Sequence, residues 1–273
     1  MDKYIKNVIR QEYGNIYNDS KIQKLAQENA RYLVTVFMPT QMIYTTSLRQ
    51  INYIASWMIK YINNIDKNNL FELKLAKAMQ ELIECLYNVN VLDDRLMKNE
   101  KDRSISLFRN NLDEIDEYFG NIYSTTYKGS FAEFAQAQRH RTLDYKLELL
   151  NNKEYFIPPI ILDKKILVED WLGDIQSVKD INPQGELVRI NEVGKYEDFI
   201  LKCKERLCSA AQLEIMQQTR KTLLKYKNAL ERSNNLLSKD IIKYSNGARC
   251  TFPDFTCTSD CHFKEGKTLT RKI

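Results

Sequence analysis

The chain has 273 residues, enough for one large or two modest domains, with 43% hydrophobic residues and only 8 glycines and 5 prolines, a balance that favours long helices over a turn-rich all-β fold. A net charge of +5 permits an anionic ligand such as a nucleotide but is too small to argue for DNA or RNA binding. The longest clean apolar run, Tyr32 to Met38, is far short of a membrane span, and Met1 to Lys6 does not read as a secretory leader, so a cytoplasmic protein with reduced cysteines is expected.

In chain order, residues 20–31 suit a helix, with Ile22, Leu25 and Ala30 as its apolar positions. Tyr32 to Thr46 is rich in Val, Phe, Ile, Tyr and Thr and is split by Pro39, which predicts strand, break, strand. Ser47 reads as an N-cap, followed at helical spacing by Leu48, Ile51, Ile54 (or Ala55), Met58 and Tyr61. An Asn-rich loop at 63–69 leads to a second helix, roughly Phe71 to Tyr87. The charged stretch 89–105 places a domain boundary, giving parts 1–95 and 96–273. Leu107 to Phe119 contains a short helix, as does Ser130 to Ala137. Tyr155 to Ile161 is extended, because each proline disfavours helix before it. Glu186 to Val193 reads as an edge strand, and Tyr196 to Ser238 as mostly helical with a break near 218. A weak repeat links Ser47–Ile83 with Lys195–Lys225. Each starts a helix and later shows an apolar-Glu-apolar triplet, Phe71-Glu72-Leu73 and Leu213-Glu214-Ile215.

The chain has two histidines, and one lies in Gln138-Arg139-His140-Arg141 at the end of the short helix. Read alone, this is either a solvated basic turn or two guanidinium forks placed to grip phosphate or flavin. Cys250, Cys257, Cys261 and His262 cluster near the C-terminus at a spacing unlike a zinc ribbon; reduced thiols and a structural metal completed by Cys208 both stay open, and no metal site is assigned. Cys85 and Cys203 fall on apolar stripes and read as core. Trp57 and Trp171 read as packing residues, and the basic tail Lys264 to Lys272 as solvated.

Three segments occur in order: Gln136-x-x-Arg139-His140-Arg141, then Tyr155-Phe156-Ile157-Pro158-Pro159, then Arg206-Leu207-Cys208-Ser209-Ala210-Ala211-Gln212-Leu213-Glu214-Ile215. Together they resemble the flavin-dependent thymidylate synthase family. Glu28-Asn29-Ala30-Arg31, Met38-Pro39 and Tyr44-Thr45-Thr46-Ser47-Leu48-Arg49 are similar to the same family's later region. The chain thus resembles a partial copy, 1–95, followed by a diverged copy, 96–273.

The resemblance implies an α+β fold with a curved, mostly antiparallel sheet flanked by long helices, in two related parts. It implies reductive methylation of dUMP or a related pyrimidine nucleotide, with FAD as cofactor and methylenetetrahydrofolate and NADPH as co-substrates, the flavin carrying the chemistry. Arg206 would polarise a pyrimidine carbonyl as the catalytic group. Gln136, Arg206 and Arg31 would bind the nucleotide, while Arg139, His140, Arg141, Ser47 and Arg49 would hold the flavin. Family sites form between subunits, so a homo-oligomer, or a hetero-oligomer with a chain carrying the missing front half, is implied. Where the family continues with two serines and a phosphate-binding arginine, this chain has Thr142 to Asn151, including Asp144; where it has Asn-x-Arg against FAD, the second copy has Lys195-Tyr196-Glu197. Turnover therefore stays open beside a second reading, an inactive structural or regulatory partner that retains at most flavin or nucleotide binding.

Overall fold

The structure is a computed structural model and describes residues 2–98, 107–258, 260, 261 and 263–273. Among them are eleven α-helices and four strands, numbered in chain order: α1 Asp2–Tyr13, α2 Asp19–Ala30, α3 Leu48–Asn63, α4 Leu70–Asn88, α5 Asp94–Met97, β1 Tyr118–Phe119, β2 Ile122–Ser130, α6 Phe131–Ala137, β3 Asp144–Leu149, α7 Lys165–Ser177, β4 Leu187–Lys195, α8 Tyr196–Arg206, α9 Leu213–Arg232, α10 Ser238–Ile241 and α11 Lys264–Lys267. The fold mixes helices with one open antiparallel sheet. The chain forms two compact units, one of residues 1–38 with 107–273 and the other of 39–106, a division unlike the 1–95 and 96–273 parts read from the sequence.

In the larger unit the sheet order is β1-β2-β4-β3, with every neighbouring pair antiparallel. The segment read as an edge strand is therefore central: β4 pairs with β2 from Ile122↔Lys195 to Ser130↔Leu187 and with β3 from Asp144↔Val193 to Leu149↔Val188. Its Asn191 and Glu192 are buried and hydrogen-bonded inside the fold. One core packs Tyr123 of β2 against Phe199 and Cys203 of α8 and Leu223 and Tyr226 of α9. A second joins α1 (Ile5, Ile9) and α2 (Ile22, Leu25) to Ile160, Ile161, Trp171 and Phe263. The stripe Ile5, Val8, Ile9 follows helical spacing, so burial of one apolar face explains α1 and its pairing with α2. Trp171 is a packing residue, fully buried with its indole N–H on the Phe156 carbonyl at 2.8 Å.

Other expectations shift. Tyr32 to Thr46 forms no strand pair: Arg31–Leu33 is a 3₁₀ turn, Thr35 makes one bridge to Pro183, and 37–46 is irregular. The break expected near 218 lies at 207–212, where small residues Ser209-Ala210-Ala211 turn the chain; Gln217-Gln218-Thr219 stays helical within α9. Tyr155 to Ile161 makes one bridge, Tyr155↔Glu186, then a 3₁₀ turn.

The smaller unit is α3, α4 and α5. Ser47 does cap α3, accepting from Gln50 N–H at 3.2 Å, and Asn69 caps α4. Buried Asn52 closes the unit: its amide donates to Leu48 O and Val91 O, each at 2.9 Å, and its carbonyl accepts from Asp93 N–H at 2.7 Å. Trp57 stacks on Tyr61 at 5.8 Å. Cys85, expected in a core, is exposed on α4, because the buried face of that helix runs through Phe71, Ala76, Met79 and Ile83.

Candidate functional site

β2 runs directly into α6. Ser130 ends the strand and caps the helix, its hydroxyl accepting from Glu133 N–H at 3.0 Å. Phe131, Ala132, Phe134 and Ala137 bury most of α6, so its end is fixed and the Arg-His-Arg turn follows as a tight bend, with His140 N–H on Ala137 O at 3.0 Å.

His140 is buried, and Arg206 at the end of α8 donates from Nε to its Nε2 at 2.8 Å. An imidazole that accepts at Nε2 carries its proton on Nδ1, which faces the Glu205 carboxylate at 3.6 Å. Burial, then the charges of Arg206 and Lys202, lowers the His140 pKa to about 4, so the ring is neutral at pH 7. Arg206 Nη2 also lies 3.5 Å from Gln136 O. The exposed guanidinium of Arg139 is close enough to Arg206 to oppose its charge, and Arg141 is exposed. Neither the Arg139 nor the Arg141 guanidinium has a hydrogen-bond or ion-pair partner among the described residues. Together with Arg206 they put cationic groups around one turn.

Gln136 extends the site inward. It donates to Gln212 Oε1 at 2.7 Å; Gln212 donates to Tyr32 Oη at 2.8 Å; Tyr32 donates to Glu214 Oε2 at 2.9 Å. Glu214 also accepts from Ser130 hydroxyl at 2.6 Å and Ser130 N–H at 2.8 Å. Every bond in this chain points toward the Glu214 carboxylate, an arrangement that fixes each side chain's orientation. Burial raises the Glu214 pKa, while the Ser130 hydrogen bonds hold it down. Arg31 is exposed and adjoins this chain through Tyr32.

Beneath α6 lies a second polar layer. Lys202 and Glu192 form a buried ion pair at 2.5 Å, and Tyr123 and Tyr127 donate to the same carboxylate at 2.5 and 3.1 Å. Lys202 also lies 5.8 Å from the Tyr145 ring centre. Glu133 is fully buried, with no hydrogen-bond partner on either oxygen among the described residues. Burial, against the pull of Lys202 and with the push of Glu214 and Glu192, raises its pKa to about 8. Gly129 makes room for it: a Cβ there would lie 2.5 Å from Glu133 Oε2.

Of the residues singled out from sequence, Gln136, His140 and Arg206 come together, Arg139 and Arg141 rim them, and Arg31 adjoins. Ser47 and Arg49 are exposed and belong to the smaller unit. Tyr32, Ser130, Glu133, Glu192 and Lys202 were given no role in the site by the sequence reading. A signal for one was present: Glu133 is the lone charge on Phe131-Ala-Glu-Phe-Ala, too apolar to lie on a surface. No group of three His, Cys, Asp or Glu side chains among the described residues can hold a metal, and His262 lies outside those residues. No helix among them is long and apolar enough to cross a membrane. No protein-family model matches the chain, and a search of curated proteins finds no match.

Proposed function

We propose that this chain is a flavin-dependent thymidylate synthase-like protein, directed at reductive methylation of dUMP or a related pyrimidine nucleotide with FAD, methylenetetrahydrofolate and NADPH. The observation that carries the reading is the 2.8 Å contact between His140 and Arg206, 66 residues apart, supported by Gln136 on Gln212 at 2.7 Å. Two of the motifs that resemble the family thus meet side chain to side chain. The third adjoins them: Phe156 stacks on Tyr32, with ring centres 4.6 Å apart. On this reading the neutral His140 sets the rotation of Arg206, while Arg139 and Arg141 present guanidinium forks to phosphate or to flavin. Bound FAD would supply the hydride chemistry. The proposed pseudo-repeat has support in the helix pairs α3–α4 and α8–α9, which place Phe71-Glu72-Leu73 and Leu213-Glu214-Ile215 at the starts of their second helices.

A second reading, an inactive partner that keeps nucleotide or flavin binding, is favoured by Asp144. This exposed acid opens β3 where the family carries its phosphate anchor. The test is FAD titration by absorbance, followed by NADPH oxidation with and without dUMP and tritium release from the pyrimidine C5. dUMP-dependent tritium release establishes the synthase reading. FAD or dUMP binding without release establishes the partner reading. Failure to bind either one refutes both.

A further inference from the structure

In the larger unit, Ala248 to Lys267 forms a closed loop. Ala248 N–H donates to Lys267 O at 2.8 Å, and Gly247 lets that carbonyl approach, since a Cβ there would lie 2.8 Å from it. The loop then folds back on itself twice. Arg249 places its guanidinium 4.7 Å from the Phe255 ring centre, and Lys267 Nζ meets the Asp260 carboxylate at 3.2 Å. Residue 255 thus returns to 249, and residue 260 returns to 267, which itself pairs with 248. Three of the chain's six cysteines sit in this fold-back, Cys250, Cys257 and Cys261, all free thiols. They are close enough that Cys257 and Cys261 oppose the charge of a Cys250 thiolate, while Lys267 favours it.

The three are not equivalent. Cys261 is half-buried and wedged, its sulfur 3.9 Å from Phe263 O and 2.9 Å from the place a Cβ on Gly266 would take. Cys250 is half-buried and packs with Phe255 against the first core; burial, and then Cys257, push its thiol up. Cys257 is exposed. An exposed thiol meets an oxidant first, and a sheltered neighbour resolves the product. We propose that Cys257 and Cys250 are a peroxide-reactive thiol pair, joined in a disulfide when the chain meets a hydroperoxide. The Cys257 thiolate attacks a peroxide oxygen: an S–O bond forms, the O–O bond breaks, and the departing oxygen takes up a proton and leaves as water or an alcohol. The Cys250 thiolate then attacks the Cys257 sulfur: an S–S bond forms, the S–O bond breaks, and the hydroxide takes up a proton to leave as water. The sulfurs give up two electrons and the peroxide takes them. None of these residues belongs to the flavin and nucleotide site proposed above.

The experiment treats the fully reduced, folded chain with hydrogen peroxide, blocks the remaining thiols, and maps the chain by mass spectrometry without reductant. A Cys250–Cys257 link is expected, lighter by two hydrogens and reversed by dithiothreitol, and it forms at least about tenfold faster in the folded chain than in urea. Cys257→Ser abolishes it. Cys250→Ser stops at a sulfenic acid on Cys257, trapped by dimedone. Cys261→Ser forms the link as the parent does. The proposal is overturned if Cys257 of the parent goes on to sulfinic acid with Cys250 untouched, if the link joins Cys261 or a second chain instead, or if folded and unfolded chains react alike. Tightly bound zinc that protects both thiols overturns it too. No flavin or nucleotide enters the assay, so this outcome is separate from that of the dUMP and FAD titrations.

Discussion

Glu133 is the residue with the sharpest consequences. Its folded pKa is raised from 4.5 to about 8, so the folded state holds a proton that the unfolded chain releases. The stability this contributes is complete below pH 4.5, declines as pH rises, and is gone above about 8. His140 acts in the opposite sense: lowered from 6.5 to about 4, it contributes fully above pH 6.5 and less as pH falls toward 4. Glu133→Gln keeps the shape and removes the titration, so between pH 5 and 8 it flattens a slope of up to about 1.4 kcal/mol per pH unit and raises stability at pH 8. Urea melts across that range check it; an unchanged slope would mean that Glu133 ionises freely. Arg206→Leu removes the donor to His140 Nε2 and a neighbouring positive charge. The imidazole pKa then rises above about 4, read by NMR titration, and nucleotide affinity falls roughly tenfold to a hundredfold if the site is the proposed one. In the smaller unit, Asn52→Leu leaves Asp93 N–H and Val91 O without their buried partner. The expected cost is about 1–3 kcal/mol per stranded group in thermal unfolding.

At the scale of elements, the central position of β4 makes the Glu192–Lys202 pair a packing unit between sheet and α8. Lys202→Met alone strands a buried carboxylate and costs about 3–5 kcal/mol. Adding Glu192→Gln recovers part of that, because the remaining side chains then need no charge partner; a double-mutant cycle measures the coupling. The same layer explains what the sequence could and could not reveal. α3 was legible because Leu48, Ile51 and Met58 repeat at helical spacing and Ser47 announced its own cap, and α4 was legible as a second helix; α8 and α9 were legible as helix, but the break between them was placed inside α9. β2 and β3 were not legible, since Ser124-Thr125-Thr126 and Asp144-Tyr145-Lys146 break the apolar alternation of a strand; Ser124 and Thr126 meet their partner Asn191 only once β2 pairs with β4. The Arg-His-Arg turn could be located from residues alone, but its partner could not: the His140–Arg206 contact depends on α6 and α8 ending at the same place.

At the scale of the molecule, the larger unit is discontinuous in sequence, with its first 38 residues returning to pack with 107–273. Ile5, Ile9, Ile22 and Leu25 share a core with Trp171 and Phe263, and Lys272 N–H donates to the Tyr13 hydroxyl at 2.9 Å across 259 positions. That closure shapes how the protein is made. On a ribosome adding about 5–20 residues per second, α1 and α2 wait roughly ten to fifty seconds before their last partners emerge, with the part of their apolar surface that those partners cover still open to water. They are the segment that a holdase would reach first, and long-range closure of this kind makes the final docking step slow. In a refolding experiment, hydrogen exchange in α1 should be the last to become protected.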